Sequence, residues 1–346
     1  RKKASFDLML GEDASVEEAE GSTIPESWEN ASKEILSLKK PVKVMVMGDV
    51  DSGKTSFCAY LLNQALKKGW REAVLDGDLG QSDIGPPSTI GFSHIIAAVK
   101  DPFDVEAENA YFVGVTSPSG AVKRVIDGLT TMKNKALEDG VEFLVINTDG
   151  WVNGEDAAEY KLQLTKNVNP DIVVGIQQGE ELAPILTALK NTKVLKVDSS
   201  QAVRRRDREK RKILRELGYK KYLKGAKVQS FLLNWIKVER VQFETGTPLT
   251  EGRIEKVRDW LGTSPVYGEE TANAVLVVLK RNKWVSEGQM RGIEQIFGKR
   301  VQLLREDEEE GLLVGLQDEK ENFLGIGILP VSYTHLRAHE TVVDLV

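Results

Sequence analysis

The six-residue run VKVMVM, Val42 to Met47 and apolar but for Lys43, leads directly into GDVDSGKT at positions 48–55. No other stretch restricts the fold as tightly. Gly48, four intervening residues, Gly53, Lys54 and Thr55 satisfy the pattern G-x-x-x-x-G-K-[ST], and the strand before and helix after that this pattern requires are both readable. The glycines let the chain wrap so that successive N–H groups point into one concavity. A helix opening near Lys54 adds the positive end of its dipole. The concavity suits phosphate. Lys54 is placed to bridge β- and γ-phosphates, and Thr55 to put its hydroxyl on Mg²⁺. Gly48, Asp49, Asp51, Ser52, Gly53, Lys54, Thr55 and Ser56 together form the expected site for ATP or GTP. The loop alone does not choose between a kinase, an ATPase and a GTPase.

From Val42 onward, strand-like and helix-like stretches alternate. Further strands are predicted at EAVLD, AYFVGVT, VEFLVINT, DIVVGIQ and TKVLKVD. Helical stretches separate them, among them GAVKRVIDGLTTMKNKALEDG and GEDAAEYKLQLTKNV. This alternation implies an α/β fold of the P-loop NTPase type: a mostly parallel sheet, helices on both faces, and ligands at the carboxyl ends of the strands. Upstream, IPESWENASKEILSLKK carries Pro25 and Ser27 as helix-start signals and Trp28, Ala31, Ile35 and Leu36 at helical spacing, so it predicts one amphipathic helix docked on the domain that follows. After residue 224 the pattern changes to short apolar or alternating runs with few helices, which predicts a smaller strand-rich domain. With 346 residues, two cores are expected. The expected division is a leader and helix at 1–40, a P-loop domain with a basic lid at 41–224, the strand-rich domain at 225–330, and a tail at 331–346. Residues 1–22 are acidic and poor in large apolar groups, as in a mobile leader. The tail segment VSYTHLRAHET reads like translated sequencing adapter, so its His335 and His339 are set aside as metal ligands.

Three further segments carry chemistry. The strand EAVL ends in DGDLGQSD, which puts Asp76 and Asp78 two residues apart, on the same face if extended, at the end of a strand expected beside the P-loop strand. One carboxylate can hold metal or its water shell while the other accepts a proton from an incoming hydroxyl. Gln81 and Ser82 follow in the same loop. The strand VEFLVIN ends in TDGWVNG and delivers Thr148, Gly150 and the indole of Trp151. Trp151 reads equally as a base-stacking platform and as core packing. Finally, residues 204–224 hold eleven Lys or Arg against three Asp or Glu, in a chain whose formal charge is −6. On a continuous helix Arg204, Arg208, Arg211 and Arg215 would form one ridge beside Val203, Leu214 and Leu217. Such a ridge could close over a transferring phosphoryl group or meet nucleic-acid phosphates.

Composition sets the remaining bounds. Hydrophobic residues make up 41% of the chain and charged ones 29%, without an apolar run long enough for a membrane span, so no membrane partner is expected. Cys58 is the single cysteine, and together with the absence of a signal-peptide pattern this points to a reducing, cytoplasmic setting.

Taken in order, GDVDSGKT, DGDLGQSDIGPPSTIG, TSPSG, NTDGWVNG and the arginine-rich segment ending YLKG resemble the polynucleotide 5′-hydroxyl kinases related to the messenger-RNA cleavage-factor and ribosomal-RNA-processing kinases, in a shorter, archaeal-like form. The resemblance runs from about Ile24 to Pro330. It implies transfer of the γ-phosphate of ATP, or of another NTP, to the 5′-hydroxyl of RNA, with DNA left open as an acceptor. By that resemblance Lys54 and Thr55 hold nucleotide and Mg²⁺, and Asp76 and Asp78 handle metal water and the 5′-hydroxyl, with Asp78 the general base. Thr148, Gly150 and Trp151 clasp the terminal nucleotide. The family's two phosphate-facing arginines fall on Arg206 and Arg215 if the lid breaks near Asp207, with Arg211 the substitute if it does not. A nucleotide-driven assembly switch and a small-metabolite kinase are the competing readings.

Overall fold

The computed structural model describes residues 22–232, 247–270, 274–280, 283–305, 311–328 and 342–345. The leader expectation at 1–21 and the residues 331–341, with His335 and His339, lie outside them. The chain divides into two compact units, with the division after Arg215.

The first unit contains α1 (Glu26–Ile35), β1 (Val42–Gly48), α2 (Lys54–Leu66), β2 (Glu72–Gly77), β3 (Thr89–Ile95), β4 (Asn109–Phe112), α3 (Val122–Glu138), β5 (Phe143–Thr148), α4 (Glu155–Val168), β6 (Ile172–Gln177), α5 (Ala183–Leu186) and β7 (Lys193–Asp198). α6 (Arg208–Tyr222) starts within it. Its seven strands form one sheet in the order β4-β3-β2-β5-β1-β6-β7. β2, β5, β1, β6 and β7 run parallel, whereas β3 and β4 are antiparallel at one edge. Both faces are covered. Met45, Met47, Leu75, Leu144 and Ile146 pack on one side with Val125, Leu129 and Leu164. On the other, Val44, Val46, Val74 and Val145 pack with Trp28, Ile35, Phe57 and Leu61. Burial on both faces is why these strands read as near-continuous apolar runs.

Two sequence expectations change here. β2 is not beside the P-loop strand: β5 pairs with both β1 and β2 and lies between them. The acidic strand is therefore one strand further out than expected, and the TDGW strand is the P-loop's neighbour. β3, with the sequence TIGFSHI, is a strand beyond those predicted, its pattern interrupted by a glycine and preceded by PPS. Gly91 fits there because a Cβ would overlap the Ile84 backbone, so the strand glycine marks a close backbone approach.

The N-terminal helix docks as predicted. Trp28 is buried, meets Phe57 edge-to-face at 5.2 Å, and donates its indole N–H to the Asp198 carbonyl at 2.8 Å. It thereby ties α1 to the P-loop helix and to the end of β7.

The second unit begins inside α6 and continues with β8 (Gln229–Leu232), β9 (Thr247–Pro248), α7 (Glu251–Leu261), β10 (Tyr267–Glu270), β11 (Ala274–Leu279), α8 (Glu287–Phe297), β12 (Arg300–Arg305), β13 (Leu313–Gln317), β14 (Phe323–Ile328) and β15 (Val342–Leu345). A four-stranded sheet, β12-β11-β10-β9, packs α7 and α8 around Val257, Leu261, Val275, Val277, Ile293 and Val301. β13 and β14 form a hairpin, and β15 pairs with β8. No helix among the described residues is long and apolar enough to cross a membrane.

Candidate active site

The P-loop has the backbone its sequence demands. Asp51 and Gly53 both take positive φ, 56° and 96°, and α2 starts at Lys54. Left-handed residues alternating with right-handed ones turn consecutive N–H groups toward one point, which makes an anion nest. At Gly48 a Cβ would lie 2.4 Å from Ser52 Oγ and 2.8 Å from the Ile176 carbonyl, so only glycine fits. Lys54 is buried and donates to the carbonyls of Gly48 (3.1 Å) and Asp49 (2.8 Å), which holds its ammonium over the loop. Ser52 Oγ is buried without a hydrogen-bond partner, as expected of a hydroxyl whose partner is a ligand. The side chains of Asp49 and Asp51 are already engaged. Asp49 accepts from Val50 N–H at 2.7 Å, and Asp51 accepts the N–H of Arg206 at 2.9 Å. Ser56 is exposed on the first turn of α2, and Thr55 is half-buried.

Across β5, the end of β2 carries the acidic pair, and its two members differ. Asp76 is fully engaged by the protein. Its Oδ1 accepts from Asp78 N–H (3.2 Å) and Asn147 Nδ2 (3.0 Å), and its Oδ2 from Asp83 N–H (2.8 Å), Ile84 N–H (3.1 Å) and Ser82 Oγ (3.4 Å). Asp76 thus accepts from five protein donors and anchors the loop after β2, beside the cavity that Thr55 and Asp83 also line. Asp78 is different: Oδ1 accepts from Gly80 and Gln81 N–H at 3.2 and 3.0 Å, and Oδ2 accepts no hydrogen bond among the described residues. Burial raises Asp78 above the ordinary carboxylate range, opposed by Lys54 and reinforced by Asp149.

Asp83 completes this side and was not singled out from the sequence. Burial raises its pKa most, the Asp76 and Asp78 carboxylates raise it further, and Arg206 and the Thr55 hydroxyl lower it. Thr55, Asp76, Asp83 and Asn147 line one small cavity of about 20 Å³. The described residues contain no group of three or more His, Cys, Asp or Glu placed to cage a metal. Mg²⁺ at a nucleotide site binds through one or two carboxylates and substrate phosphates rather than an all-protein cage. Thr55, with Asp83 beside it, is the donor set that fits.

The β5 end reaches the same region. Thr148 is buried and gives its hydroxyl to the Val46 carbonyl at 2.8 Å, which staples β5 to β1. Gly150 packs onto the P-loop itself, where a Cβ would lie 2.6 Å from Val50 Cγ2 and 2.8 Å from Val50 N. Trp151 is half-buried and stacks on Tyr160, with centroids 5.5 Å apart and planes at 22°. One ring face is therefore committed to α4. Asp149, between Thr148 and Gly150, was also missed from the sequence. It accepts from Trp151 N–H (3.0 Å) and Tyr160 O–H (2.6 Å), and pairs with the fully buried Lys161 at 3.0 Å. The available signal was a charged residue in an apolar helix stripe: Lys161 sits at core spacing with Ala157, Leu164 and Val168.

The lid breaks at Asp207. α6 starts at Arg208, and the Asp207 carboxylate accepts the Lys210 N–H at 2.7 Å. Arg204 and Val203 therefore lie outside the helix, and the four-arginine ridge expected from its spacing is reduced to Arg208, Arg211 and Arg215. Val203 instead approaches the P-loop, 3.2 Å from where a Cβ on Gly53 would be. Arg206 lies in the extended segment before the helix, with Nη1 donating to Gln81 Oε1 at 3.0 Å. Arg211 folds back and donates through Nε (3.1 Å) and Nη2 (2.7 Å) to the Arg206 carbonyl. Arg215 is half-buried one turn on.

Residues 48–225 match the model of the P-loop of the mRNA cleavage and polyadenylation factor CLP1. The chain belongs to the CLP1 P-loop family. A polyribonucleotide 5′-hydroxyl-kinase of Pyrococcus furiosus is 30% identical, over 88% of this chain and 84% of the relative. One of Methanocaldococcus jannaschii is 27% identical over 88% and 82%. Among solved structures, the Clp1p–Pcf11p complex covers 92% of this chain and 74% of Clp1p, with a TM-score of 0.57 at 12% identity. That likeness supports the fold. Within the CLP1 family frame, the P-loop, DGDLGQ and TDGW segments are three strand ends meeting at one side of the sheet, as α/β topology requires of a ligand site.

Proposed function

We propose that the chain is a polyribonucleotide 5′-hydroxyl kinase that moves the γ-phosphoryl group of ATP, or of another NTP, onto the 5′-hydroxyl of an RNA end, with DNA left open as an acceptor. The observation that carries this reading is Asp78. It is a carboxylate with one oxygen held by loop N–H groups and the other without a protein partner, under the field of the P-loop lysine. A general base built into a strand end facing the phosphate cradle suits a second substrate's hydroxyl.

In this reading the 5′-oxygen attacks the γ-phosphorus in line, and the bond from that phosphorus to the β-bridging oxygen breaks. The hydroxyl proton passes to Asp78 Oδ2, and the nucleoside diphosphate leaves with the bond's electron pair. Lys54 and the N–H groups of residues 50–55 stabilise the charge on the phosphates. Thr55 and Asp83 would hold Mg²⁺, which supplies charge neutralisation on the β- and γ-oxygens. Arg206, tethered to Gln81 and through its backbone to Asp51, places a guanidinium at the mouth of the same site, with Arg215 behind it. Gly150 and Trp151 form the acceptor side, where the indole stacks on the terminal base.

The test is incubation with γ-labelled ATP and a 5′-hydroxyl oligoribonucleotide. Label on the RNA end supports the reading. Nucleotide hydrolysis without label transfer across single-stranded RNA, duplex RNA and DNA would overturn it in favour of a nucleotide switch.

A further inference from the structure

Lys161 is the one lysine of α4 that lies wholly inside the protein, at 0% side-chain exposure. A buried ammonium is costly unless its hydrogen bonds are met. Here they are met by a single residue of the neighbouring loop: the Asp149 carboxylate at 3.0 Å and the Asp149 carbonyl at 2.9 Å. The same carboxylate takes the Tyr160 hydroxyl at 2.6 Å and the Trp151 N–H at 3.0 Å. Tyr160 in turn carries the Trp151 indole on its ring. The Asp149 carboxylate and carbonyl thus tie the turn 149–151 to two adjacent residues of α4.

The turn could be held more cheaply. An apolar residue at 161 would pack with Ala157, Leu164 and Val168, and Asp149 could face solvent. A buried ion pair adds little net stability over a well-packed apolar substitute, and in some proteins such a pair serves to fix a geometry. The geometry fixed here is that of Gly150, pressed on Val50 of the P-loop, and of the Trp151 ring.

We propose that Lys161 and Tyr160 are positioning residues for the acceptor: together with Asp149 they set the height and tilt of the Trp151 indole relative to the phosphate cradle, and so the affinity for the nucleotide that receives the phosphoryl group. The proposal rests on the kinase reading above and extends it to residues that touch neither substrate. Lys161 is the charged peg, and Tyr160 is both hydrogen-bond donor and stacking base.

Two variants and two measurements test it. Tyr160→Phe keeps the ring under Trp151 and removes one hydrogen bond, so it should fold; Lys161→Met removes the peg. Steady-state kinetics are run with oligoribonucleotide and ATP varied separately. Acrylamide quenching of Trp151 is taken as the difference between each protein and the same protein carrying Trp151→Phe. The oligonucleotide KM should rise about 3- to 10-fold in Tyr160→Phe, the size of one lost hydrogen bond, and further in Lys161→Met. In Tyr160→Phe, which leaves the Lys161–Asp149 pair in place, the ATP KM should stay within twofold, and Trp151 should become more quenchable in both variants. An ATP KM that rises in parallel, or unchanged quenching, in folded Tyr160→Phe would overturn the proposal. If the wild type transfers no phosphate, the kinase reading fails, and the quenching comparison still decides whether these residues position Trp151.

Discussion

Single residues divide the site into donor and acceptor halves, and that division can be tested. Asp78→Asn keeps the loop N–H contacts at Oδ1 but removes the base. It is expected to lower transfer by about 10²- to 10⁴-fold while nucleotide affinity, measured by fluorescent-nucleotide titration, stays within a few-fold. Loss of nucleotide binding in Asp78→Asn would place that residue on the donor instead. Gly150 makes the opposite prediction. A methyl there would meet Val50 Cγ2 and the Val50 backbone, and backbone cannot swing aside as a side chain can. Gly150→Ala should therefore destabilise by about 1–3 kcal/mol, as overpacking does, and should also weaken ATP binding, because the displaced atoms belong to the phosphate cradle. A melting curve and the same titration check both parts. Lys54 and Thr55 follow a spacing rule, whereas only the family resemblance set Asp78 apart from Asp76. The sequence concealed the roles of Asp76 and Asp83. Two aspartates in a turn look equivalent until their partners are known, and Asp76 spends both oxygens on Asn147 and the loop N–H groups.

At the level of elements, the parallel strands and their helices were readable from apolar runs and 3.6-residue spacing, whereas strand order was not. That β5 separates β2 from β1 is a property of pairing between distant segments, which no local pattern encodes. The lid shows the same limit in a shorter stretch. Spacing placed Arg204 and Arg208 on one continuous helix, but the Asp207 carboxylate caps α6 at Lys210 N–H and the helix starts later. The break has a consequence for the arginines. Arg206 stays extended and reaches Gln81, while Arg211 is spent on the Arg206 carbonyl. Arg206→Ala should therefore cut kcat strongly, toward the ~10³-fold effect of removing an arginine that contacts a transferring phosphoryl group. Arg211→Ala should cut it less, by loosening the segment that carries Arg206. Single-turnover rates at saturating ATP and RNA compare the two. Equal losses, or a larger loss for Arg211→Ala, would reverse these assignments.

For the molecule as a whole, the most exposed weakness lies at the far end of β2 from the chemistry. Glu72 opens that strand, opposite Phe143 and Ile95 in the sheet. It is 1% exposed, and neither carboxylate oxygen has a hydrogen-bond partner. Burial raises its pKa to about 8 from an ordinary 4.5. The folded protein therefore holds a proton there that the unfolded chain has released. Between pH 4.5 and about 8 the native state binds more protons than the unfolded state, so stability falls as pH rises through that window and levels off above it. At up to about 1.4 kcal/mol per pH unit the loss is on the order of a few kcal/mol, appreciable against the ~5–15 kcal/mol that holds a domain together. Glu72→Gln keeps the shape and removes the titration. It should match the wild type near pH 5, melt higher at pH 9, and flatten the slope between. Because Asp78 lies at the opposite end of this sheet segment, kcat at pH 7 should not change. Chemical denaturation at pH 5, 7 and 9 with intact first-unit packing gives the comparison. A wild-type curve without that slope, or a Glu72→Gln curve that keeps it, would mean that the carboxyl finds a proton donor or solvent in the native state. The site's own acidic groups would then carry whatever pH dependence the kinase displays.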